Sequence, residues 1–177
     1  MRYFGKYLLL FVIVVLLQVL LFNHLNLSLY VHPLVYVVFL LLLPVEIHAA
    51  LLLILGFLTG VAFDLLMGTG GLNTIASLAT AFFRPYILLL IVGKETIHDG
   101  GIPGSAHLGA AKYTGYSLIV ILLHCLIFCS FESFPGTYYY LTLLRILSST
   151  LVTAFFIYWL QLLFAGGSPV RKTRRSR

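Results

Sequence analysis

Charged side chains are scarce in this chain: five Asp and Glu in 177 residues, and 9% charge of either sign. A water-soluble globular domain carries nearer a quarter, so that class is excluded. Catalytic and nucleotide-binding patterns are missing too. There is no His-Glu-x-x-His, no Gly-x-Ser-x-Gly, no Gly-x-x-x-x-Gly-Lys cradle and no cluster of aspartates for a metal-dependent transferase. An intramembrane Ser–His hydrolase would need Ser77 beside His124, which nothing in the sequence specifies. The two cysteines, Cys125 and Cys129, have the wrong spacing for a Cys-x-x-Cys redox pair and read as buried thiols in a helix seam. The other five histidines, His24, His32, His48, His98 and His107, are scattered over loops and span ends and make no metal site by spacing. No enzyme, no cofactor and no nucleic-acid partner is expected.

What is present is apolar sequence, 61% of the chain. Windows at about 7–22, 34–47, 49–66, 72–92, 113–131 and 139–164 predict an all-α polytopic membrane protein of six transmembrane helices over 1–165, followed by a basic tail, 166–177. The first window reads as a retained anchor, because no small-x-small cleavage site follows Leu21. The second is bracketed by Pro33 and Pro44 and is too short to cross unaided. It tilts, borrows Val45 to Ile47, or re-enters. With six spans, Arg2, Lys6, Lys94, Lys112 and the five basic residues of the tail fall on one side, while the opposite loops at 23–33, 67–71 and 132–138 hold none. By the positive-inside rule both termini are cytoplasmic, and the tail is expected to attract anionic lipid.

Ionisable side chains inside spans are the candidate functional residues, since a charge at the centre of a spanning helix costs about 2.5–3.5 kcal/mol on insertion scales. On the third span Gly56, Gly60, Asp64 and Gly68 recur every four residues, a close-approach face that brings Asp64 to a turn at Met67-Gly68-Thr69-Gly70-Gly71. On the fourth, Asn73, Ser77, Thr80 and Arg84 form a polar stripe ending at Pro85. On the sixth, Thr142, Arg145, Ser149 and Thr153 form another. At ~1.5 Å per residue, Asp64 lies roughly 3–5 Å deep and Arg145 roughly 9 Å, which predicts an ion pair between them if those spans touch. Arg84, near the midplane, is expected to reach Glu46 or carbonyls released by Pro85 and Pro44. His124 reads as a hydrogen-bonded interior histidine.

Leu42-Leu43-Pro44-Val45-Glu46, the run from Leu55-Gly56 through Asp64 to Gly68, Gly71-Leu72-Asn73, Phe83-Arg84-Pro85 and the stretch 141–150 together resemble the rod shape-determining membrane protein family MreD, in its Bacteroidetes-type form. The resemblance implies a bacterial inner-membrane scaffold that binds MreC directly. Through the cell-elongation complex it would work with MreB, the RodA glycosyltransferase and its class B penicillin-binding partner in lateral peptidoglycan synthesis. It also implies an architecture similar to the S components of energy-coupling-factor transporters. A competing reading is a transporter's small-solute-binding subunit, its stripes lining a pocket open to the outside.

Overall fold

The computed structural model describes residues 2–22, 33–94, 97, 101–133 and 139–165. Among these every regular element is helical. In chain order they are α1 (Arg2–Leu16), continued by a π-helical segment Leu17–Phe22, then α2 (Val37–Leu42), α3 (Ala49–Met67), α4 (Leu72–Val92), the short α5 (Ser105–Leu108), α6 (Ala110–Glu132) and α7 (Tyr139–Ala165). Four of them, α3, α4, α6 and α7, are long and apolar enough to cross a membrane. Their outer faces fit that environment, with Leu65 81% exposed and Leu90 82% exposed. In water such rows would forfeit about 25 cal/mol per Å² of apolar surface, whereas acyl chains solvate them.

The expectation of six equivalent crossings divides at the N-terminal end. The first window is helical, but its described apolar stretch, Leu9–Leu20, is shorter than the other four. The second window holds only the six residues of α2 as helix. Its ends are set by proline. Leu43, which precedes Pro44, turns to an extended ψ of 147° because the proline ring excludes the helical region from its neighbour. Side chains of this segment are nevertheless enclosed on every side: Val35, Tyr36, Val37, Leu40 and Leu41 are all 0% exposed. Far from facing lipid, residues 33–44 form the centre around which the other helices are arranged. The tail and the loop at 23–32 lie outside the described residues, as does most of 132–138.

Helices α3 and α4 form an antiparallel hairpin along the glycine face. A Cβ on Gly56 would stand 2.7 Å from the Ala81 Cβ, and one on Gly60 would collide with the Thr74 backbone. The two helix axes therefore approach as closely as only glycine permits. Gly68 ends α3 at φ 67°, its N–H bonding back to the Asp64 carbonyl at 2.8 Å, and Gly71 starts α4 at φ 100°. Both conformations are strained for any residue with a side chain. From this hairpin the packing continues through α4 onto α6, and through α6 onto α7. The stripe of α4 thus faces α6 and the buried segment, and the sixth span, α7, packs on α6 rather than on the α3–α4 hairpin. Cys125 and Cys129 are free thiols buried on α6.

Candidate functional site

Asp64 lies in the last turn of α3, where its carboxylate reaches across the tight turn to the start of α4. Oδ1 accepts from the Thr69 hydroxyl at 2.6 Å and from the Asn73 N–H at 2.9 Å. Oδ2 accepts from the Thr74 N–H at 2.8 Å and from its hydroxyl at 2.5 Å. Helix N-termini leave their first N–H groups without intrahelical partners and carry the positive end of the macrodipole. Gly71, at the cap position, has no side chain to serve them. Asp64 does so from the preceding helix, which is why a carboxylate persists in apolar sequence. The expected pair with Arg145 does not form. Arg145 instead meets Glu132 of α6 at 3.3 Å, both side chains about a quarter exposed. The partner nearest along the α6–α7 hairpin prevailed over the partner at matching depth.

Arg84 is 1% exposed. Its guanidinium points at the C-terminal end of α2, with Nη2 donating to the carbonyls of Leu41, at 3.4 Å, and Leu43, and Nη1 to that of Pro44 at 3.4 Å. Nε donates to the Tyr116 hydroxyl at 2.8 Å, and that hydroxyl donates to the Leu41 carbonyl at 3.3 Å. A helix that stops inside a membrane protein leaves terminal carbonyls with no water to satisfy them, and a cation at a helix C-terminus also complements the dipole. Of the two expected destinations of Arg84, the carbonyls near Pro44 are the ones used, and Glu46 is exposed and takes no part. Pro85 sits inside α4 without ending it.

The opposite end of the buried segment is held in the same way. Gln18, on the π-helical turn, donates from Nε2 to the Pro33 carbonyl at 2.8 Å and accepts from the Tyr36 N–H at 3.2 Å. The Leu34 N–H donates to the Thr153 hydroxyl of α7 at 3.1 Å. Residues 33–44 are therefore clamped at both ends by side chains of the first helix, α4, α6 and α7. Ser149, one turn from Thr153 on the same stripe, is also fully buried.

Between the clamps lies a polar cluster. The Tyr36 ring stacks on Phe63 with centroids 4.2 Å apart. Its hydroxyl is 2.7 Å from Asn73 Oδ1 and 2.7 Å from His124 Nε2. His124 Nδ1 is 3.0 Å from the Thr80 hydroxyl, which also reaches the Ala76 carbonyl at 2.7 Å. Asn73 Nδ2 donates to the Thr69 hydroxyl at 2.6 Å, closing a continuous path to Asp64. Ser77 is buried with no hydrogen-bond partner for its hydroxyl, and both ring nitrogens of His124 are taken by Tyr36 and Thr80. The Ser77–His124 dyad a hydrolase would need is thus not assembled. Among the described residues no group of three His, Cys, Asp or Glu could hold a metal ion.

The sequence singled out Asp64, Arg84 and His124, and the structure joins Asp64 and His124 in one network and gives Arg84 to a second. It did not single out Gln18, Tyr36, Tyr116 or Glu132. A Tyr inside an apolar run after a proline was the available signal for Tyr36, since a buried phenol requires a partner. No protein-family model, curated protein or solved structure matches this chain. What the described residues define is a class: an all-helical fold in which four helices are able to cross a membrane, built around a short internal segment.

Proposed function

We propose that this protein is a non-enzymatic scaffold of the bacterial inner membrane, of the MreD type. In this reading it binds the single span of MreC and supports lateral peptidoglycan synthesis and cell shape with MreB, RodA and a class B penicillin-binding protein. The sequence resemblance supplies the identity of the partners, and both termini are cytoplasmic. The supporting observation is how the polar groups are spent. The intramembrane carboxylate and guanidinium are directed at backbone groups of the chain's own helices, Asp64 at Asn73 and Thr74, Arg84 at Leu41, Leu43 and Pro44. Such an arrangement makes a rigid body with lipid-facing apolar flanks, suited to holding another helix in place. It gives neither charge a free valence aimed at a solute.

Photo-crosslinking residues placed along the outer faces of α3, α6 and α7 in living cells test this. A scaffold yields a defined adduct with the bitopic partner, and depleting the protein rounds the cells or disturbs envelope growth. Retention of a small solute by the purified protein, or rescue of depleted cells by a vitamin, would support the transporter reading in its place.

A further inference from the structure

The path from Asp64 to His124 has a direction, and its chemistry fixes it. Thr69 has one hydroxyl proton, and the Asp64 carboxylate 2.6 Å away claims it, because a hydrogen bond to an ionised acceptor is roughly twice as strong as a neutral one. The Thr69 oxygen is then left to accept, so Asn73 must turn its NH2 toward Thr69 and its carbonyl toward Tyr36. Tyr36, with a single proton, gives it to that carbonyl. His124 Nε2, 2.7 Å from the same phenol oxygen, must therefore bring a proton of its own, and Nδ1 is left to accept from Thr80, whose hydroxyl must then turn from the Ala76 carbonyl to which it donates at 2.7 Å. In this order every proton from Thr80 to Thr69 points toward Asp64, and the bond from Thr80 to the Ala76 carbonyl is given up.

The geometry points to a bistable hydrogen-bond relay in which the protonation state of Asp64, at the α3–α4 turn, sets the tautomer of His124 in the protein interior. The same heavy atoms accommodate the opposite order. A protonated Asp64 donates to Thr69, Thr69 donates to an inverted Asn73 amide, and the amide NH2 donates to Tyr36. Tyr36 then gives its proton to Nε2, Nδ1–H donates to Thr80, and Thr80 donates to the Ala76 carbonyl. One proton enters at Asp64; Thr69, Asn73, Tyr36 and Thr80 then exchange hydrogen-bond roles by rotation, while at His124 the Nε2–H bond breaks to a transiently admitted water that returns a proton to Nδ1, so the ring stays neutral and no net charge is created inside. The reversed order also uses the phenol as donor and the imidazole as acceptor, the natural roles of both, so it prevails once the carboxylate releases Thr69. A proton or a partner's donor at the turn is thus read at Tyr36, in the segment at the centre of the fold.

Ionisable neighbours do not short-circuit the relay. Tyr36 lies in the field of Asp64 and of Cys125 on α6. On α4 the nearest cation, Arg84, is occupied with Tyr116 and the carbonyls ending α2, and on α7 Arg145 faces Glu132. Gln18 of the first helix, Phe63 of α3 and Ser77 of α4 are uncharged neighbours of Tyr36.

The test is nitrogen NMR of the imidazole in the full chain in lipid nanodiscs, with His124 assigned through the Leu123–His124 peptide, the only Leu-His step in the sequence. Near neutral pH the wild type carries its proton on Nε2. Thr69→Val, which removes the hydroxyl far from the ring, shifts the majority to Nδ1–H, while Thr69→Ser keeps Nε2–H. Independently of any variant, acidifying the wild type until the Asp64 carboxyl carbon reports protonation moves the ring proton to Nδ1. A wild-type ring protonated on Nδ1, or one that keeps its Nε2 proton after Asp64 is protonated, overturns the relay. If Thr69→Val does not fold, the acid titration decides alone.

Discussion

Replacing Arg84 with Met should be among the most destabilising single changes in the protein, and the structure indicates by how much. The substitution keeps a flexible apolar stem of similar reach but removes the side-chain donors to the carbonyls of Leu43 and Pro44, the latter keeping only the Ile47 N–H at 3.4 Å, and one of two side-chain donors to Leu41. A buried polar group stripped of its partner costs about 1–3 kcal/mol. Against this, the variant no longer desolvates a guanidinium, itself several kcal/mol, and transmembrane hydrogen bonds average well below their expected worth. The net loss should be about 2–4 kcal/mol, more than tenfold in the folded population at either end. Tyr116→Phe removes one bond to Arg84 and one to Leu41 and should cost about 1 kcal/mol. Because the two residues serve the same helix end, the double variant should lose less than the two singles added together. Arg84→Lys keeps the charge but has no fork to span three carbonyls, and should fall between wild type and Met. Unfolding midpoints in detergent for the four variants measure this. An Arg84→Met protein within about 0.5 kcal/mol of wild type, or strict additivity with Tyr116→Phe, would refute the clamp.

The α3–α4 hairpin should not tolerate Gly60→Ala, whose Cβ meets the Thr74 backbone, at a cost of about 1–3 kcal/mol. Gly56→Ala should be milder and partly repaired by Ala81→Gly, both read as thermal stability. Asp64→Ala should lower stability by about 1–2 kcal/mol through loss of the α4 cap. The exchange that restores a charge pair should be Glu132→Arg with Arg145→Glu, whereas swapping Asp64 with Arg145 should restore nothing. The Glu132–Arg145 pair is part-exposed and worth only about 0.2–1 kcal/mol, so double-mutant cycles are needed to resolve it. A cysteine at position 28 should react with a membrane-impermeant maleimide from outside the cell and one at 104 should not, the native Cys125 and Cys129 being buried and silent. The reverse labelling pattern would invert the topology.

Much of this fold was legible along the chain because membrane insertion is decided by local sums. Hydropathy over some twenty residues located α3, α4, α6 and α7 within a few positions, and the four-residue spacing of Gly56, Gly60, Asp64 and Gly68 marked one face and the turn that follows. Period and composition are properties of a single helix, and one sequence carries them. What they leave open is which face meets which. Depth alone suggested Asp64 with Arg145, but depth does not set adjacency. The tight turn at 67–71 made the N–H groups of Asn73 and Thr74 the closer partners, and the α6–α7 hairpin gave Arg145 to Glu132. The segment after Pro33 reads as a deficient span by its length. Only the assembled bundle shows it as a short helix enclosed in protein, because its terminal backbone groups are met by Gln18, Arg84, Tyr116 and Thr153, from positions 15 to 119 residues away. Satisfying those groups is obligatory where no water reaches. Which side chains do it is settled by packing between distant parts of the chain, and that was decided in the tertiary structure.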